Sequence, residues 1–202
     1  MAKVDLDNIL SHKSSYLDKV RPGTVRSFSY TVRDLFGKGG TRAAIDWYTK
    51  KIRELNVDGS KFLMAEKKTR TFEIGDMYFY KYDAKWKDEL PYWDVYPLIF
   101  PFNMYNDGFI GLNLHYLHPM VRAKLLDALQ DVSKKRNKMM LSWQILKGSS
   151  QISLIKPCVK RYLYTHVRSP MVKIEKRDWL PAALMPLQSF QKKSSEYVWS
   201  QA

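Results

Sequence analysis

The sequence predicts an α+β protein built on a small antiparallel sheet, open or barrel-like, with flanking basic helices and extended N- and C-terminal arms. Between Gly75 and Leu117, short aromatic and β-branched runs alternate with Pro and Asp-Gly, which is typical of strands joined by tight turns. On both sides of this stretch, apolar residues recur at helical spacing. The 202 residues suffice for one hydrophobic core and an additional arm.

The predicted organisation is an N-terminal arm over residues 1–40 and a single α+β domain over residues 41–202. Within the domain we expect a β core over about residues 68–117, a basic helical part over 118–177 and a C-terminal tail over 178–202. The arm is polar and its apolar residues have little periodicity, and a glycine-rich break separates it from the domain.

The helices are predicted from apolar stripes and from the residues that start and stop them. A first helix is expected to begin at Thr41 and to end before Asn56. A second helix is expected to begin at Pro119, which suits a first helical turn, and to reach Val132. Apolar residues four positions apart predict a further short helix over residues 157–167.

The strands are predicted from alternation and turn residues. Residues 68–74 and 76–82 are expected to be strands, and the second has apolar or aromatic side chains on both faces, which predicts burial or an interface. Residues 91–102 are rich in proline, which cannot donate to a ladder, so an edge strand or an irregular run is expected there. Asn106-Asp107-Gly108 predicts a hairpin turn. Residues 170–175 are a further candidate strand.

The basic charge is unevenly distributed along the chain. The net charge is +14, and residues 1–68 carry 14 Lys/Arg against 8 Asp/Glu. The aromatic region 69–118 carries 4 against 7, whereas residues 119–202 carry 16 against 5. Such segregation suits a polyanionic partner, with nucleic acid first and an acidic protein second. The alternative is a basic face that only keeps the protein soluble.

Basic residues interleaved with tyrosines are the candidate DNA-binding residues. Cations beside aromatic rings hold phosphates and stack bases at frayed ends. No base-reading motif is present, so binding to double-stranded DNA is expected to be independent of sequence. The candidates are Lys134, Lys135, Arg136, Lys138, Lys156, Lys160, Arg161, Tyr162, Tyr164 and Arg168.

The same mixture of aromatic residues and arginine is typical of protein interfaces. The candidate interface residues are Tyr92, Trp93, Tyr96, Phe109, Trp179 and Phe190.

Catalytic chemistry has little support in the sequence. Asp94 with His115 and His118 is the best candidate for a metal-dependent nuclease, but the histidines lie at a predicted strand-to-helix junction without a metalloprotease pattern. Cys158 is the only cysteine, so no internal disulfide is possible, and no motif makes it a nucleophile. We expect no catalytic residue, no metal and no cofactor. No apolar run reaches the roughly 18 residues of a membrane helix, so no membrane partner is expected.

Three stretches together resemble a known family. They are Tyr80–Asp94 (YKYDAKWKDELPYWD), Tyr96–Leu117 (YPLIFPFNMYNDGFIGLNLHYL) with the following Arg122, and Asp178–Phe190 (DWLPAALMPLQSF). They resemble a small virion protein of T-even-like tailed phages, a myovirus family described as DNA end protectors or head-completion proteins. The resemblance covers roughly half of the chain, and residues 1–68 have no part in it.

The resemblance implies a non-enzymatic virion protein that is assembled in the host cytoplasm. It would bind the end of the packaged DNA or complete the head or neck, and it would shield the DNA end from host exonuclease. Its partners would be double-stranded DNA and other phage virion proteins, such as portal, neck, tail or baseplate proteins. Two alternatives stay open: a tail, neck or baseplate assembly protein that acts only through protein contacts, and the metal-dependent nuclease.

Overall fold

The computed structural model describes residues 50, 52, 54–119, 121–123, 125–126 and 156–201. The predicted N-terminal arm and most of the first predicted helix lie outside these residues, so the domain boundaries stay predictions. No helix in the described part is both long and apolar enough to cross a membrane.

A six-stranded antiparallel sheet forms the centre of the described part. Its strands are β1 (Lys68–Thr69), β2 (Met77–Phe79), β4 (Leu98–Tyr105), β5 (Gly108–Asn113), β6 (Val159–Leu163) and β7 (Met171–Ile174). The spatial order is β1-β7-β2-β4-β5-β6, with β1 and β6 as edges, so the sheet is open and the barrel-like alternative is wrong. A separate two-stranded sheet pairs β3 (Trp93–Asp94) with β8 (Phe190–Gln191).

The helices of the described part are short and lie around the sheet. They are α1 (Gly59–Ala65), α2 (Trp179–Leu184) and α3 (Ser195–Ser200), and residues 50, 52 and 54 and the described residues between 119 and 126 are also helical. The α1 helix was not predicted. Its start is explained by Asp58, whose carboxylate accepts a hydrogen bond from the Lys61 amide at 2.9 Å, as an N-cap does.

The β2 strand separates two hydrophobic cores, which confirms the predicted burial of both its faces. Met77 and Phe79 face the main core. Tyr78 faces a smaller aromatic core, which also contains Tyr80 and Tyr82 from the residues that follow β2. Successive strand side chains point to opposite sides of a sheet, so one run of alternating aromatic residues supplies both cores.

The β4 strand corrects the prediction of an edge strand or irregular run. It lies between β2 and β5, and it contains Pro101. The pairing with β5 shifts register between Pro101 and Asn103. A β-bulge of this kind leaves one residue outside the regular ladder, and prolines are tolerated at bulges. The hairpin turn is confirmed, since Tyr105 pairs with Gly108 across it.

Residues 156–177 are not the helical part that the periodicity predicted. Strand β6 replaces the helix expected over residues 157–167, and 3-10 turns precede and follow it. The β6 strand pairs along its length with β5, with Tyr162 opposite Phe109. The flanking basic elements are therefore partly strands, and β7 confirms the strand expected over residues 170–175.

The C-terminal segment packs against the main core and is not an extended arm. Trp179 is buried, its indole N–H donates to the Ile174 carbonyl at 2.9 Å, and its ring contacts Phe100 with centroids 4.8 Å apart. The other buried residues of this segment are Asp178, Pro181, Ala182, Ala183, Met185, Leu187 and Val198.

Two glycines of β5 provide a matched test of how tightly β6 is packed. A Cβ on Gly108 would lie 2.0 Å from the Tyr162 carbonyl oxygen, whereas a Cβ on Gly111 would lie 3.1 Å from the Phe100 oxygen. We expect Gly108→Ala to lower the free energy of unfolding by about 1–3 kcal/mol or more, because β6 must move away. Gly111→Ala should lower the free energy of unfolding by less, because its Cβ would meet a more distant atom. Equal denaturation midpoints for the two variants would contradict this packing.

Candidate nucleic-acid surface

The edge strand β6 and its flanking turns carry the described candidate DNA-binding residues. Lys156 is exposed in the turn before β6, Lys160 and Arg161 lie on the strand, and Tyr164 and Arg168 follow it. An edge strand has a partner on one side only, which leaves its other side accessible to a ligand. The remaining candidates lie outside the described residues: Lys134, Lys135, Arg136 and Lys138.

Arg161 is exposed and makes an ion pair with Asp107 through a single guanidinium nitrogen. Its Nη2 atom donates to both carboxylate oxygens of Asp107 at 2.7 and 2.9 Å, and the guanidinium lies over the Tyr105 ring at 4.7 Å. Exposed ion pairs stabilise a fold only weakly, and arginine binds phosphate with the same geometry as carboxylate. A DNA phosphate can therefore replace Asp107 at this guanidinium.

Arg168 belongs to a second exposed ionic network. Its Nη2 atom lies 3.3 Å from an Asp83 carboxylate oxygen, and Lys87 Nζ lies 3.3 Å from the other. The hydrogen bonds from Lys87 and Arg168 lower the pKa of the Asp83 carboxyl. The carboxylate neutralises part of the positive charge, so Arg168 offers an incoming phosphate less net attraction than an unpaired cation.

The two tyrosines proposed as stacking groups differ in accessibility. Tyr162 is buried, its hydroxyl accepts a hydrogen bond from Asn113 Nδ2 at 3.1 Å, and its ring packs on Phe109. Tyr162 is therefore a core residue and cannot stack a base in this fold. Tyr164 remains 39% exposed, which leaves it accessible to a ligand.

The candidate interface residues fall into two groups. Phe109 and Trp179 are buried within the chain, so their rings pack against the protein itself. Tyr92, Trp93, Tyr96 and Phe190 are partly buried, and their contact with another protein stays a prediction.

A buried carboxylate, Asp94, lies directly behind this surface. Its Oδ1 atom accepts hydrogen bonds from the amides of Tyr96 and Ser189 at 3.1 and 3.0 Å. Its Oδ2 atom lies 2.7 Å from His115 Nδ1 and accepts from Asn113 Nδ2 at 3.3 Å. Both members of the Asp94–His115 pair are almost fully buried. The carboxylate thus joins four separate positions of the chain.

The same geometry leaves the nuclease alternative without a formed site in the described part. Asp94 and His115 are bonded to each other, and Asp94 is already occupied by protein donors. His118 is exposed and its ring contacts Trp199 instead. Among the described residues, no three His, Cys, Asp or Glu side chains are grouped so as to hold a metal.

Sequence reasoning did not single out the loop between β2 and β3. Trp86 lies in this loop and is 57% exposed. Lys85 Nζ lies 4.9 Å from the centroid of its ring. The available signal was a tryptophan between two lysines in an otherwise polar segment.

The buried pair predicts a loss of stability in acid. Burial lowers the pKa of His115 despite the neighbouring carboxylate, so the imidazole is neutral at pH 7. Burial alone would raise the pKa of Asp94, but His115 and the backbone donors outweigh it and the pKa is lowered. Between its folded pKa and about 6.5, His115 binds a proton only in the unfolded chain, so stability must fall as pH decreases through this range.

We expect the thermal midpoint of the wild-type protein to fall between pH 7 and pH 5. His115→Asn keeps an N–H donor near Asp94 and should reduce this pH dependence, although the variant is less stable overall. The matched control is His118→Asn, which should retain the wild-type slope. A pH dependence that His115→Asn leaves unchanged would contradict the neutral, buried imidazole.

The family model described as phage T4 terminal DNA protecting protein matches residues 17–202. No curated protein and no solved structure gives a significant match. The matched region contains the whole sheet and the Asp94 network. It also contains strand β6 with its flanking turns, which we call the β6 surface and which carries Lys156, Lys160, Arg161, Tyr164 and Arg168. It extends well beyond the stretches that carry the resemblance in sequence. The chain belongs to the family of phage T4 terminal DNA protecting proteins.

Proposed function

We propose that this protein binds the ends of double-stranded phage DNA and shields them from exonuclease without catalysing a reaction. The observation that carries the proposal is the family match over residues 17–202. Shielding requires only that the protein occupies the end more tightly than a nuclease can displace it, so no catalytic residue is needed.

The β6 surface supplies suitable groups for such binding. Lys156 and Arg161 are exposed cations, and exposed Tyr164 follows the same strand. Phosphate contacts from lysine and arginine give affinity without base specificity, which suits a protein that must bind whatever sequence lies at the end. The cluster Lys134–Lys138 would add to this attraction.

The proposal includes a location in the virion, near the point where the packaged DNA ends. Contact with portal or other head and neck proteins belongs to it, and the partly buried aromatic residues Tyr92, Trp93 and Phe190 are the candidates for that contact. A pull-down that recovers portal or neck proteins with the wild-type chain, but not with Tyr92→Ala, would support this part.

The first test compares purified wild-type protein on blunt linear and closed circular DNA across a salt series, together with protection of the linear DNA from an exonuclease. We expect tighter binding to linear DNA, an affinity that falls steeply with salt, and protection that follows occupancy. If neither DNA is bound at ~0.1 M salt, where exposed charges still act over about 10 Å, the proposal fails. An assembly role through protein contacts alone would then replace it.

Arg161 and Asp107 form a matched pair for a sharper test. Arg161→Gln should weaken DNA binding and lower the salt slope by about 1, because one phosphate contact is lost. Asp107→Asn should tighten binding, because the carboxylate competes with phosphate for the same guanidinium. Lys61→Gln is the control, since Lys61 pairs with Asp58 at the start of α1. The two variants must change the DNA affinity in opposite directions. Equal changes in affinity for Arg161→Gln and Asp107→Asn would contradict a contact between Arg161 and a DNA phosphate.

A further inference from the structure

A groove of about 440 Å³ lies between the β2–β3 loop and the edge strand β6. We call it the aromatic groove, and the residues that line it include Lys85, Trp86, Tyr92, Trp93, Tyr116 and Lys160. Arg161 also lines it. Its volume is in the range of about 300–1,000 Å³ that is typical of small-ligand sites, so it fits single nucleotides and not a duplex.

The groove contains an ammonium group without an anionic partner. Lys160 Nζ lies 4.3 Å from the centroid of the Tyr116 ring. Within the described part of the chain, no carboxylate pairs with Lys160 and no oxygen accepts a hydrogen bond from it. Burial lowers the pKa of this lysine. Removing a charge from water is unfavourable unless it is paired, so this position suits an anionic ligand.

Trp86 is exposed on the loop side of the groove, and hydrogen bonds hold the backbone of its loop in place. The Trp86 carbonyl accepts hydrogen bonds from the amides of Glu89 and Leu90 at 3.1 and 2.9 Å. Lys192 Nζ fastens the same loop by donating to the Asp88 and Leu90 carbonyls at 3.0 and 2.9 Å. A loop whose backbone is held before binding loses less conformational freedom when the ligand arrives.

We propose that the aromatic groove binds an unpaired nucleotide at the DNA end, with the base against Trp86 and the phosphate at Lys160. The inference rests on the proposed function and adds the chemical form of its ligand. A planar aromatic surface beside cations suits a ligand that combines a ring with a negative charge, as a nucleotide does. An acidic peptide would use the cations but would leave the exposed indole without a stacking partner.

The experiment uses the full chain and three hairpin DNAs that carry 2-aminopurine. One has a mismatched, frayed terminal pair with the fluorophore in it, one has a paired blunt end, and one is a dumbbell closed at both ends with an internal fluorophore. For wild-type protein we expect quenching of the frayed terminal base and tighter binding to the frayed end than to the dumbbell.

The variants separate stacking from charge. Trp86→Ala should weaken binding to the frayed end by about five- to a hundredfold, in line with the loss of one base–aromatic stack. It should change dumbbell binding by less than about twofold. Trp86→Phe should retain most of the quenching. Lys160→Gln should lower the salt slope on the frayed end by about 1. The control is Met64→Ala, since Met64 is 68% exposed on α1 and is not a lining residue of the groove.

The outcomes distinguish this inference from the function on which it rests. If Trp86→Ala keeps the wild-type preference for the frayed end and the wild-type quenching, the aromatic groove does not bind the terminal nucleotide, while the end-binding function stands. Failure of wild-type protein to bind any of the three DNAs overturns the function itself, and the groove with it. Free dAMP bound as tightly as the frayed end would assign the groove to free nucleotides and overturn the inference. Trp86- and Lys160-dependent binding of an acidic peptide, with no such dependence for DNA, would overturn it in favour of a protein partner.

Discussion

The buried Asp94 carboxylate is the constraint on which the arrangement of the described elements depends. Ionised and out of contact with water, it must be satisfied entirely by donors of the protein. Those donors come from three segments of the chain: Tyr96 close to Asp94, Asn113 and His115 at the end of β5, and Ser189 in the C-terminal segment. Removing one partner from a buried charge typically costs about 3–5 kcal/mol. A movement that separates any of these segments from Asp94 would carry a similar cost, so the network holds them together.

The network continues from the carboxylate into both the sheet and the C-terminal segment. Asn113 donates to the Tyr162 hydroxyl at 3.1 Å, which connects the network to β6. The His115 carbonyl accepts from Arg122 at 3.2 Å and from the Trp199 indole at 2.9 Å. Arg122 also donates to the Leu117 and Ala183 carbonyls at 2.7 and 2.8 Å. Burial lowers its pKa to about 9, so it stays charged at neutral pH and balances the buried carboxylate.

The residues of this network lie in or next to the three stretches of sequence that carry the resemblance to the family. Asp94 ends the first stretch, Asn113 and His115 lie in the second, and Arg122 follows it. The third stretch contains Ser189, whose amide completes the carboxylate's partners. Short stretches with no obvious chemistry can therefore contain residues that fold around one buried charge.

Patterns of a few neighbouring residues correctly predicted those elements of the fold that depend on neighbouring residues alone. The two-sided burial of β2 follows from its alternating aromatic residues, and the hairpin turn follows from Asn-Asp-Gly. Strand β6 was misread as a helix because the apolar spacing of four fits one helical face, whereas its real partner, β5, lies some fifty residues earlier. Pro101 was misjudged for a similar reason, since a bulge in a central strand depends on the neighbouring strand. No local signal indicates that Lys160 would face the β2–β3 loop.

The burial of each aromatic side chain decides whether it stabilises the fold or is accessible to a ligand. Tyr162 looked suitable for stacking because basic residues surround it in sequence, but strand alternation turns its ring into the smaller core. Trp86 looked incidental because it lies in a polar loop, yet its ring remains in water beside two cations, Lys85 and Lys160, that line the same groove. The buried network holds Tyr116 and β6 in place and thereby fixes Lys160 above the Tyr116 ring. The buried network thus supports a surface on which, within the described part of the chain, Lys160 has no anionic partner, and the proposed DNA phosphate would supply one.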